Sequence, residues 1–185
     1  VISPQEIINA SGADILRLWA ASSNYSEDVR VSPDILSRLS EAYRKIRNNI
    51  RFLLGNLSDF SQDNDRVDYK DMLEIDRYSL SVLYTLLNKV TRNYEEFEFY
   101  RIYQEVHQFC ILQMSNFYLD ILKDRLYTFK KNGLERRSAQ TVMWESLTIL
   151  VRIIAPILPF TPEEVWQYLA KDQNIESVHL APWPQ

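Results

Sequence analysis

Arg44-Lys45-Ile46-Arg47-Asn48-Asn49-Ile50-Arg51-Phe52-Leu53-Leu54-Gly55-Asn56 is the stretch that decides how this 185-residue chain folds. Upstream of it, Ser32 is a good N-cap and Pro33 suits the first helical position. Gly55 stands where a left-handed residue would close the helix. Between these marks Leu36, Leu39, Tyr43, Ile46, Ile50, Leu53 and Leu57 recur at steps of three and four. That spacing predicts one helix from Pro33 to about Leu54 with an apolar stripe turned to a core. Arg44, Arg47, Asn48 and Arg51 share the same spacing on a second stripe. An ordinary solvated face would carry acidic partners one turn away. Residues 44–51 contain none, so the stripe is a local cationic face. Guanidinium forks suit phosphate oxygens and base edges, and an amide can read a base edge.

The remainder of the chain puts that helix in a bundle. No proline lies between Asp34 and Ala155, and the glycines are Gly12, Gly55 and Gly133 alone. A β-rich fold of this length would need many more turn residues. The predicted class is therefore all-α, an up-and-down helical bundle. Residues 1–31 read as a small helical leading module, 32–171 as the bundle, and 172–185 as an extended tail. A polar, acidic loop is expected over Ser58–Asp68. A second long helix is expected over about Tyr69–Asn93. On its stripe falls Asp76, which requires either a turn there or an Arg partner. A third helix is predicted from Glu95 to about Phe129, with Tyr103, Val106, Cys110, Met114, Phe117 and Ile121 inward. The fourth, from about Ser138 to Ala155, has a widened apolar face suited to a central position. Pro156 and Pro159 end it, and Thr161 with Glu164 reads as a capping box for a short last helix.

Composition limits the function. The formal charge of −4 argues against non-specific coating of nucleic acid but leaves room for a site built from local patches. No apolar run is long enough to span a bilayer, no secretory signal is present, and Cys110 is the lone cysteine. These features fit a reducing, cytoplasmic setting. The chain opens at Val1 without Met and stops after Pro-Trp-Pro, and so reads as a piece of something larger. His107 has Glu105 two residues before it, which fails the Glu-x-x-His spacing of a di-iron bundle. Two histidines and one cysteine do not compose a zinc site. No phosphate-binding glycine loop or nucleophile elbow occurs. No catalytic residue is assigned, and the chain by itself is expected to be inactive and metal-free.

A second cationic block follows the third helix. Lys123 to Ser138 holds six basic and two acidic residues. Lys123, Arg125 and the stackable ring of Tyr127 are candidates there. So are Arg136 and Arg137, which fall where a helix begins and its dipole disfavours cations. The aromatic run Tyr94–Tyr100 is interrupted by three acids and reads as packing.

Several blocks together resemble the isoleucyl-tRNA synthetases, class I enzymes. Val1-Ile-Ser-Pro-Gln-Glu-Ile-Ile-Asn and Gly12-Ala-Asp-Ile-Leu-Arg-Leu-Trp19 resemble the segment after that family's Lys-Met-Ser-Lys-Ser loop. Tyr43 to Leu57 is similar to the first helix of its anticodon-binding domain. Phe117-Tyr-Leu-Asp-Ile-Leu-Lys-Asp-Arg-Leu-Tyr127, Ala155-Pro-Ile-Leu-Pro-Phe-Thr-Pro-Glu-Glu-Val-Trp166 and Ser177-Val-His-Leu-Ala-Pro-Trp-Pro184 complete the match. The resemblance implies an ATP-dependent ligase that joins isoleucine to its tRNA. Its catalytic and editing domains would precede Val1, and a zinc-binding extension would follow Gln185. ATP, magnesium and zinc would belong to those domains. It further implies that Arg47, Asn48, Arg51, Lys123, Arg125 and Tyr127 line an anticodon site, with Arg44, Arg136 and Arg137 on phosphates. The expected partners are isoleucine tRNA and the catalytic domain of the same protein, in a monomer with no membrane contact. The competing reading is a helical protein-interaction scaffold, whose binding would tolerate loss of Arg47 and Arg51 and depend little on salt.

Overall fold

In the computed structural model, which describes residues 3–173 and 175–185, all regular structure is helical. Val1 and Ile2, the head of one resembling block, lie outside the described residues. The cationic helix forms as its punctuation requires. It is α3 (Pro33–Gly55), capped by Ser32, whose hydroxyl accepts from the Ile35 N–H at 3.2 Å. Before it come α1 (Pro4–Ser11) and α2 (Ala13–Ser22). After it come α4 (Gln62–Asp65), α5 (Glu74–Glu95), α6 (Phe99–Gln108), α7 (Leu119–Thr128), α8 (Leu134–Ile154) and α9 (Phe160–Gln173).

Four rods make the bundle: α3, α5, the run from α6 to α7, and α8. Helix α8 is central, buried without a break from Arg137 to Val151, and it touches α3, α5, α7 and α9. Helix α2 closes one side against α6 and α3, and its Leu18 belongs to the common core. Arg17 ties it down by donating to the Pro156 and Ile157 carbonyls at 2.8 and 2.9 Å.

The structure departs from the periodicity in places that have physical causes. Gly55 remains in the last turn of α3, and Asn56 takes the cap. The positive-φ glycine is Gly12, at 87°, between α1 and α2. The second long helix begins at Glu74, after a separate 3-10 turn at Tyr69–Asp71. Asp76 therefore enters in the first turn of α5, and it also pairs with Arg125. The third rod starts at Phe99, because Phe97 adopts φ 57° and breaks the chain away from α5.

Within that rod, Phe109–Tyr118 is π-helical. Bonding from i to i+5 inserts extra residues per turn, so the apolar stripe slips by one position. Phe117 and Ile121, expected inward, are exposed, and Tyr118 and Leu122 are buried in their stead. Helix α8 starts four residues early, at Leu134, which places Arg136 and Arg137 in its first turn.

The capping box at Thr161 does not form. Asp14 of α2 accepts instead from the Thr161 N–H and hydroxyl, at 3.1 and 2.9 Å. The tail, expected extended, makes a 3-10 turn at Val178–Leu180. Its Trp183 indole donates to Thr91 at 2.8 Å and sits edge-on to Tyr94.

Candidate nucleic-acid interface

The polar stripe of α3 faces solvent, as the 3.6-residue period requires once Ile46, Ile50 and Leu53 are inward. Arg44, Arg47, Asn48 and Arg51 are exposed, whereas Asn49, one position on, is buried against Ser115 at 3.0 Å. The four exposed residues line one wall of a groove of about 540 Å³. Its other wall is α9, through Thr161, Glu164 and Tyr168. The floor is apolar, made by Ile50, Leu54 and Val165. Gly55 keeps one end of the floor open, since a Cβ built there meets nothing within 4 Å.

Charge in the groove is uneven. Arg47 approaches Glu164 at 3.6 Å, so an acid does reach the stripe, but from α9. Arg44, Asn48 and Arg51 have no hydrogen-bond or ion-pair partner among the described residues. Two guanidinium groups and one amide are therefore presented to solvent with their donors free.

The second cationic block divides. Lys123 is exposed and holds Asp120 at 2.7 Å, which pushes its ammonium further toward the charged form. Tyr127, one turn on, is 67% exposed. Arg125, in contrast, is buried, away from the exposed surface on which contact with RNA was expected. Its guanidinium forks onto Asp76, at 2.9 and 2.7 Å, and its Nε donates to the Glu135 carbonyl at 3.1 Å. Tyr118 and Ser138 also donate to that carboxylate. With Nη2 also donating to the Glu135 carbonyl, four of the five Arg125 N–H donors are engaged, and burial withdraws the group from solvent.

Arg136, half-buried, and Arg137, buried, are likewise held by partners within the fold. Arg136 forks onto Asp59 at 2.8 and 3.1 Å and donates to the Leu126 carbonyl. Arg137 donates to the Asp59 carbonyl, Gln140 and Asn132, all within 2.8 Å. The Arg136 hydrogen bond, helped by Gln140 and by both guanidinium charges, holds the Asp59 carboxyl down at about 2 against the opposing effect of burial. The helix-start penalty for two cations is offset by an anion brought 77 positions along the chain. Asp59 thereby fastens the end of α3 to the start of α8, with the end of α7 alongside.

In the sequence, Glu164 reads only as a capping residue and Tyr168 is not singled out. A signal was present: the two lie four apart on α9, opposite the buried Val165, Trp166 and Leu169. Among the described residues no group of three or more His, Cys, Asp or Glu side chains is placed to hold a metal ion. Burial pushes the Cys110 thiol up to about 12, which leaves it unsuited to nucleophilic or metal chemistry.

The chain is similar to known proteins along its whole length. The family described as anticodon-binding domain of tRNA ligase matches residues 76–185. Over its whole length the chain is 56% identical to the isoleucine–tRNA ligase of Caldicellulosiruptor bescii. The figures are 52% for that of Natranaerobius thermophilus and 49% for that of Moorella thermoacetica. It spans 20% of the length of these relatives. The fold is also that of part of agnB2 LeuRS of Agrobacterium radiobacter K84, solved in a ternary complex with tRNA and LeuAMS. The likeness has a TM-score of 0.70 at 22% identity, over 100% of this chain and 21% of that one. The chain belongs to the family of anticodon-binding domains of tRNA ligases.

Proposed function

We propose that the chain binds the anticodon stem-loop of isoleucine tRNA as part of an isoleucine–tRNA ligase. The observation that supports this most directly is the α3 wall of the groove, where Arg44 and Arg51 present unpaired guanidinium groups beside Asn48. Arg44 and Arg51 neutralise loop phosphates, and Asn48 approaches an unstacked base. Arg47 joins them when its pair with Glu164 opens. Lys123 and Tyr127 extend the surface at the end of α7, as one cation and one stacking ring.

The whole ligase would join isoleucine to its tRNA at the expense of ATP, in the cytoplasm and as a monomer. Residues 1–31 would lead in from its catalytic domain, and residues 172–185 would lead on. ATP, magnesium and zinc would serve that larger protein, but the side chains described here do not fit them and are assigned none of that chemistry. No helix among the described residues is long and apolar enough to cross a membrane.

The test is a titration of this chain with the isoleucine-tRNA anticodon hairpin and a hairpin of altered anticodon, at low and moderate salt. Binding should weaken as salt rises. The variant R51A should weaken it by about tenfold, as loss of one charged RNA contact does. Unchanged affinity in R51A, or binding indifferent to salt, would favour the scaffold reading.

A further inference from the structure

Glu164 is out of place in a groove that only holds phosphates. Its carboxylate shares that groove with Arg44, Arg47 and Arg51, where a like charge repels a phosphate. It is not committed to the fold. Its contact with Arg47 is a 3.6 Å pair between side chains 62% and 56% exposed, the kind that opens readily in water. The adjacent Glu163 differs: it accepts from the Ser177 hydroxyl at 2.8 Å, the Val178 N–H at 3.0 Å and Gln167 at 2.7 Å. One turn beyond Glu164, Tyr168 is 68% exposed and has no ring or hydrogen-bond partner among the described residues. The slot between α3 and α9 thus has an apolar floor, a free aromatic ring, an acceptor-only carboxylate and the Asn48 amide.

Those four features fit a planar heterocycle with N–H donors better than they fit a phosphate. A carboxylate offers two oxygens and no donor. Guanine presents two adjacent donors, N1–H and the 2-amino group, that match both oxygens. Adenine and cytosine present one amino group beside an acceptor. Uracil presents one N–H between two carbonyl oxygens, which the carboxylate repels. Resting on the anticodon-binding reading, we infer that the α3/α9 groove is a base-reading subsite for an unstacked guanine. Glu164 accepts the N1–H and 2-amino donors, the Asn48 amide donates to O6, and Tyr168 stacks on the ring. Arg44 and Arg51 hold the flanking phosphates. Glu164 is then a specificity-determining residue, and its charge lowers general affinity for RNA while sharpening the choice of base.

The experiment titrates the full chain with anticodon-type RNA hairpins carrying guanine, inosine or uracil at each loop position in turn. Inosine lacks only the 2-amino group. At one position the native chain should bind guanine about tenfold more tightly than inosine, the discrimination of a good bidentate contact. The variant E164Q, at an exposed site and checked for native helicity, should abolish that difference at this position and bind all hairpins more tightly overall. R51A should weaken all hairpins alike and keep the guanine-to-inosine ratio. A ratio that survives E164Q, or no ratio at any position while R51A still weakens binding, overturns the inference and leaves the anticodon-binding reading standing. Failure of every hairpin to bind overturns both.

Discussion

Arg125 and Arg51 carry the same side chain in two comparably basic stretches, yet their fates are opposite. Arg51 projects from α3 into a groove and has no partner among the described residues; Arg125 is enclosed with Asp76, Tyr118 and Ser138. Removing one member of a buried pair leaves the other charge unpaired and desolvated. The replacement R125A is therefore predicted to lower stability by about 3 kcal/mol or more. K123A should change it by less than about 0.5 kcal/mol, since that ion pair is solvated. Urea unfolding of the two variants checks the contrast, and equal losses would contradict the burial assignment.

Gly55 is the other telling residue. It is helical, no neighbour forbids a Cβ, and glycine in a helix costs about 1 kcal/mol relative to alanine. G55A should then raise the urea midpoint. If glycine is kept for close approach of a ligand at the open end of the groove, the same variant should weaken hairpin binding. A stabilised protein that binds unchanged would leave the glycine without that role.

At the scale of elements, the π-helical stretch is where periodicity misleads. An α period carried past Phe109 assigns Phe117 and Ile121 to the core, but the structure buries Tyr118 and Leu122. The register is open to direct test. L122A should cost about 3 kcal/mol through the cavity it leaves, and I121A less than about 1 kcal/mol. The reverse order would mean that the rod is α-helical throughout.

The junction of α3, α7 and α8 is a second element-scale feature with a measurable consequence. The Asp59 carboxyl is held at about 2, below its ordinary 3.8. Its folded-state value is depressed, so the stabilisation it gives is present above pH 4 and is lost as pH falls through 2. Stability measured against pH should fall over that window in the native protein, and D59N should flatten the fall.

At the scale of the whole molecule, a chain with a net charge of −4 can hold RNA only where its cations are left unpaired. The number of basic residues in a stretch is therefore a poor guide to the surface. The all-α class, the helix from Pro33, its buried stripe and the exposure of Arg44, Arg47, Asn48 and Arg51 were determined by the sequence. All four depend on local rules, capping preferences and a 3.6-residue period, that act within one helix. Tertiary structure alone decided the rest. Asp59 reaches Arg136 across 77 positions and Asp76 reaches Arg125 across 49, so arginines of the second cationic block became internal struts. Helix α9 swung Glu164 and Tyr168 opposite α3 and turned a charged face into a groove. Pairings between distant segments follow from the path of the chain, which no local period encodes.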